Sequence, residues 1–133
     1  MASIDGTCLC GAVTLRVARM PRSLTQCNCS VCRRYGTLWM YFKRRDLKLT
    51  SPRNGLRDFT RPHGELRFRH CATCGCVVSW EHGRGPDARM GINARLFDHA
   101  AMATVPIHVL DGDGDWKVVE RYTKPAIWTS PTR

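Results

Sequence analysis

The sequence predicts a single all-β domain. Apolar residues alternate over short segments, turn-forming residues separate those segments, and helical periodicity is confined to one stretch. A chain of 133 residues and 15.1 kDa fits one domain with a modest core. Hydrophobic residues at 43% and charged residues at 24% exclude a disordered chain.

The first strand is expected over residues 12–19, where Val13, Leu15 and Val17 share one face. Residues 37–43 are aromatic and β-prone. Residues 46–50, 56–61 and 65–70 are further short strands, separated by Ser51-Pro52-Arg53-Asn54-Gly55 and Arg61-Pro62-His63-Gly64. Residues 76–82 form a strand ended by Gly83-Arg84-Gly85-Pro86, and 88–92, 106–110 and 116–123 follow. Residues 93–103 are the one stretch expected to be helical. Asp111-Gly112-Asp113-Gly114-Asp115 is a turn, since it lacks the distal Glu and flanking helices of a calcium loop. The domain is expected to span residues 1–124, with 125–133 as a loosely held tail.

No apolar run approaches the ~20 residues of a membrane span, and the N-terminus lacks the pattern of a secretory leader. A cytoplasmic, reducing location is therefore expected, with no membrane partner. Structural disulfides are rare there, yet the chain has eight cysteines. They form three tight clusters: Cys8-x-Cys10, Cys27-x-Cys29-x-x-Cys32 and Cys71-x-x-Cys74-x-Cys76. Disulfide scaffolds scatter their cysteines to close long loops. Chelation needs neighbouring positions, because thiolates sit about 2.3 Å from a shared Zn²⁺.

Cys71-Ala72-Thr73-Cys74-Gly75 has the form of a zinc knuckle, whose glycine permits a positive-φ turn aiming backbone N–H groups at sulfur. Cys8 and Cys10 project to one side of an extended segment. Together they supply four thiolates, a closed structural site. Cys27, Cys29 and Cys32 supply three, the pattern of a catalytic zinc with one position left for water or an exogenous thiol. A metal holds a coordinated thiol as the nucleophilic thiolate. Cys76 is either a fourth ligand that closes this second site or an inert buried thiol. Neither common ferredoxin spacing is present, which disfavours an iron–sulfur cluster.

The blocks Gly6-Thr7-Cys8-Leu9-Cys10-Gly11-Ala12-Val13, Cys27-Asn28-Cys29-Ser30-Val31-Cys32-Arg33 and Phe68-Arg69-His70-Cys71-Ala72-Thr73-Cys74-Gly75 resemble the glutathione-dependent formaldehyde-activating enzymes. That family also includes the domain of centromere protein V. Residues 92–98, Pro106-Ile107-His108-Val109 and Trp116 are similar to the family's C-terminal part. The resemblance implies a β-tent fold of small antiparallel sheets. It implies a structural zinc on Cys8, Cys10, Cys71 and Cys74, and a catalytic zinc on Cys27, Cys29 and Cys32 that the glutathione thiol approaches. Asn28 stands where the family usually has His, and Cys76 where it often has a small residue.

The implied activity is that of a carbon–sulfur lyase. Glutathione adds to formaldehyde or a related electrophile to give an S-hydroxymethyl-type adduct. Arg33 and Arg34 follow Cys32 directly and are the candidates to hold glutathione's carboxylates by paired hydrogen bonds; the alternative is two exposed arginines in a turn. Tyr35 either donates to a developing alkoxide or packs. None of His63, His70, His82, His99 and His108 has the spacing of a general base.

The net charge of +10 belongs to residues 1–69, with 14 Lys and Arg against 4 Asp and Glu; residues 70–133 carry 7 of each. Solvated strand faces account for this asymmetry, and an anionic thiol would suit it. It also keeps open a second class: a non-catalytic zinc module binding nucleic acid or a protein partner through its basic half. The mark of nucleic-acid binding is strong salt dependence. A thiol redox sensor on the central cluster is the third reading.

Overall fold

A computed structural model describes residues 2–123. The expected tail, 125–133, lies outside the described residues. The chain folds as an all-β domain of two sheets. The smaller has the order β1(Ile4–Thr7)-β2(Thr14–Val17)-β5(Leu47–Thr50). The larger runs β11(Val118–Tyr122)-β10(Ile107–Leu110)-β3(Leu24–Cys27)-β4(Trp39–Lys43)-β9(Arg89–Asn93)-β8(Val77–Glu81)-β7(Arg67–Cys71)-β6(Leu56–Thr60). Neighbouring strands are antiparallel except β3 and β10, which pair in parallel from Leu24–Ile107 to Cys27–Leu110. No helix among the described residues is long and apolar enough to cross a membrane.

Alternation along β4 sets up the two sides of the larger sheet. Met40 and Phe42 enter the main core with Val13 and with Leu15 and Val17 of the small sheet. Trp39 and Tyr41 point the other way, into a second apolar cluster with Cys27, Cys32 and Phe68. Each large apolar side chain fully buried in this way stabilises the fold by about 1.5–3 kcal/mol. Strand β8 reaches the second cluster through a bulge. Arg69 pairs with Ser79 and His70 with Val77, so Val78 is an extra residue. Val78 joins the main core, while Val77 and Trp80 both face the second cluster.

Two strands are absent from the sequence-based expectation. Strand β1, Ile-Asp-Gly-Thr, has too little apolar character to read as a strand. Its Gly6 admits the Phe97 ring, which would lie 2.9 Å from any Cβ there. Strand β3 ends in the cysteine cluster that masks its pattern.

The helix expected over 93–103 is corrected to a single 3-10 turn, Ala94–Leu96. The Asn93 side chain accepts from Arg95 N–H (3.2 Å) and Phe97 returns to extended backbone. The Asp98 carboxylate accepts from Ala100 N–H (3.0 Å), making a further turn in place of helix. Among the described residues the one α-helical turn is α1(Cys32–Tyr35), within the central cysteine block.

Candidate functional site

The cysteines gather as two separate groups. The sulfurs of Cys8, Cys10, Cys71 and Cys74 lie within 4.8 Å of one another, and so do those of Cys27, Cys29 and Cys32. In the first group Cys8 and Cys10 are 3.6 Å apart and Cys10 and Cys71 3.7 Å. A tetrahedron of sulfurs about 2.3 Å from zinc has edges of about 3.8 Å, so the donor set fits that ion. Gly75 takes the positive φ (79°) expected of the knuckle. Thr73 N–H and Cys74 N–H then point at Cys71 Sγ, at 3.4 and 3.5 Å.

Those donors tune the thiols. The N–H groups of Cys76 and Cys10 bring Cys74 down to about 5, and those of Cys74 and Thr73 hold Cys71 below the ordinary thiol range. Cys10 receives the Ala12 N–H, but desolvation and the thiols of Cys8, Cys71 and Cys74 push it up to about 11. Cys76 belongs to this neighbourhood. Its thiol is hydrogen-bonded with that of Cys74 and accepts from the Leu9 N–H, and it lies outside the three-cysteine group.

The three-cysteine group is built by the end of β3 and the turn into α1. Cys29 N–H points at Cys27 Sγ and Cys32 N–H at Cys29 Sγ, both at 3.4 Å. The buried Trp39 indole donates to Cys32 Sγ at 3.3 Å. Burial pushes Cys27 and Cys32 up. Burial also opposes ionisation of Cys29, but the N–H groups of Cys32 and Val31 and the two neighbouring thiols outweigh it, so Cys29 falls below the ordinary range. Three sulfurs with no fourth in the group suit a metal that keeps one position for an outside ligand.

The loop between β10 and β11 covers one side of this cluster. Gly112 packs so closely on Cys27 that a Cβ would overlap Sγ, and it would also lie 3.1 Å from the Trp116 ring. Asn28 fastens the loop. Its amide N–H donates to Asp111 Oδ1 (2.9 Å), and its carbonyl oxygen accepts from Asp113 N–H (3.0 Å). Asn28 N–H also donates to Leu110 C=O at 3.2 Å. Trp116 is held at φ 63°, a left-handed conformation that costs a bulky residue about 1–2 kcal/mol. It remains 63% exposed.

A cleft of about 330 Å³ opens onto Cys27, Cys29 and Cys32. Its inner wall is aromatic, with Trp39, Tyr41, Phe68 and Trp80. Its rim is the β6–β7 turn, where Arg61, His63 and Glu65 are exposed, together with Asp113. Arg33 and Arg34 are not among the residues that line it. Both are exposed, and Arg34 donates to Ser30 C=O at 2.8 Å. Tyr35 packs edge-on against Phe68 with ring centroids 5.6 Å apart, a packing contact outside the cleft lining. Arg61 is the arginine the cleft does contain. Sequence reasoning placed it in a turn with no link to the cysteines, since only the fold brings residues 61–66 to them.

Several arginines of the basic half are paired with carboxylates away from the cleft, although only Asp87 and Glu81 among those acids come from outside that half. Arg16 pairs with Asp5, Arg19 with Asp46, and Arg45 with Asp87. The buried Glu81, 2% exposed, bonds both Arg44 and Arg69. The cleft itself carries Arg61 and His63 against Glu65 and Asp113 and is not strongly basic.

A search of curated proteins finds no match to the chain. Among solved structures, the crystal structure of a Rhodobacter sphaeroides protein superposes with a TM-score of 0.61 at 26% identity, covering 71% of this chain and 88% of that one. The family signature described as glutathione-dependent formaldehyde-activating enzyme (GFA) matches residues 3–110. That match spans both cysteine groups and most of the strands that carry them, so the chain belongs to the GFA family.

Proposed function

We propose that the chain is a zinc-dependent carbon–sulfur lyase that joins the glutathione thiol to formaldehyde or a related aldehyde. The observation that carries this reading is the cleft ending on Cys27, Cys29 and Cys32, with three sulfurs in reach of one ion and space in front of them. Cys8, Cys10, Cys71 and Cys74 hold a structural zinc and tie the N-terminal segment to the knuckle. A zinc on the central cysteines supplies Lewis acidity that keeps an incoming thiol ionised at neutral pH.

The chain's own residues bind and orient. Cys27, Cys29 and Cys32 hold the metal at the cleft floor. Trp39 steadies Cys32 through its indole N–H. The Asn28-fastened loop keeps Gly112 against Cys27 and closes that side to water. At the rim, Arg61 offers a paired hydrogen-bond donor for a glutathione carboxylate, and Asp113 and Glu65 offer acceptors for its ammonium group. Arg33 and Arg34 remain outside this arrangement.

The uncatalysed addition of thiols to formaldehyde is appreciable, so the test is acceleration. Magnetisation-transfer NMR on a mixture of glutathione, formaldehyde and adduct reads the exchange rate directly. The zinc-loaded protein is expected to raise that rate at least about tenfold at a catalytic concentration, and Cys29→Ser to abolish the increase. An unchanged exchange rate contradicts the proposal.

A further inference from the structure

We propose that the aldehyde this site takes carries an apolar, ring-sized substituent, and that formaldehyde is a minimal stand-in for it. This rests on the function proposed above and names its electrophile class. Polarity is unevenly distributed in the cleft. Charged groups are at the exposed rim, on Arg61, His63, Glu65 and Asp113. The deep wall beside the sulfurs is formed by Trp39, Tyr41, Phe68 and Trp80, and Trp116 of the β10–β11 loop also lines the cleft. Glutathione has its charges at the two ends and its thiol between them. With its ends at the rim and its sulfur at the cysteines, the aromatic wall faces the group bonded to that sulfur.

Formaldehyde has two heavy atoms and no apolar surface to bury against such a wall. A cleft of about 330 Å³ has room for more. The wall is also fixed. Tyr41 and Trp80 pack with ring centroids 5.8 Å apart, and Trp39 and Phe68 at 6.5 Å. The Trp80 indole lies against Gly91, where a Cβ would collide with it. Bulge residue Val78 is what turns Trp80 to this side. A rigid aromatic wall favours a flat apolar guest by contact and by desolvation.

The chemistry balances without a further reactant. The thiol sulfur bonds the carbonyl carbon, the carbon–oxygen double bond becomes single, and the thiol proton ends on that oxygen. The reverse step releases thiol and aldehyde.

The test is calorimetric titration of the zinc-loaded protein with S-methylglutathione and S-benzylglutathione, which differ only in the group facing the wall. S-benzylglutathione is expected to bind at least about tenfold more tightly. Trp80→Leu and Trp116→Ser should each shrink that preference at least about threefold and leave S-methylglutathione within about twofold of the parent. Equal affinity for the two conjugates, or a preference untouched by both substitutions, overturns the proposal. Benzyl mercaptan against 2-mercaptoethanol on the same protein separates it from the glutathione reading. A preference for benzyl mercaptan with no binding of either conjugate supports the apolar subsite and overturns glutathione as the thiol. Equal binding of the two simple thiols overturns the subsite.

Discussion

Gly112 lies directly on the sulfur of Cys27, closer than any side chain would allow. The β10–β11 loop and the three-cysteine cluster are thus one packed unit, although their residues are far apart in sequence. Gly112→Ala should displace either the loop or Cys27. The expected result is loss of the central metal with the four-cysteine metal retained, read as zinc per chain by elemental analysis. Full occupancy of both sites in Gly112→Ala would show that the loop yields freely.

Asn28 fastens the same loop through Asp111 and Asp113. Each such hydrogen bond contributes about 1 kcal/mol. Amide exchange in the 110–118 segment should therefore rise roughly fivefold or more in Asn28→Ala. In Asn28→Asp two carboxylates face each other and the loop should loosen further. Adding Asp111→Asn restores the bond with donor and acceptor exchanged, and protection should return. Protection unchanged in Asn28→Ala removes the clamp from the account.

Glu81 sits 2% exposed between Arg44 and Arg69. Glu81→Gln removes the charge and leaves two guanidiniums facing a neutral amide. The expected cost is about 1.5–3 kcal/mol, seen as a lowered denaturation midpoint with the central metal retained. A midpoint within error of the parent would mean that the two arginines find other acceptors at no cost.

The two cysteine groups differ in what they hold together. Cys8 and Cys71 are buried in the main core, whereas Cys27 and Cys32 line the cleft. Cys71→Ser should lower the unfolding temperature by roughly 10 °C or more, since structural zinc contributes directly to folding. Cys29→Ser should shift it by only a few degrees. Thermal unfolding of the two variants, followed by circular dichroism, distinguishes them; equal shifts would deny the division into structural and reactive sites.

The grouping of the cysteines as four and three was legible in the sequence because metal ligation writes its geometry into local spacing. Two cysteines on an extended segment and two on a knuckle converge wherever the fold brings them together. Strand alternation was equally legible in Trp39-Met40-Tyr41-Phe42, which sorts its side chains between the cleft and the core. The cleft was not legible. Its rim comes from residues 61–66 and 111–116, and no local pattern links either segment to Cys27. Adjacency in sequence favoured Arg33 and Arg34 as the ligand-holding arginines, but α1 turns them to the exposed surface and the β6–β7 turn brings Arg61 to the opening instead. The Val78 bulge, which aims Trp80, leaves no mark in composition or period.

The proposed function requires one closed four-sulfur site and one open three-sulfur site. Cobalt substitution tests it most directly, because the visible absorption of cobalt–thiolate centres reports each change of ligand. Titration with glutathione should alter the spectrum and saturate at one equivalent per chain, and the change should vanish in Cys29→Ser while the four-sulfur spectrum persists. A spectrum indifferent to glutathione, or one that responds equally in Cys29→Ser, would contradict the account.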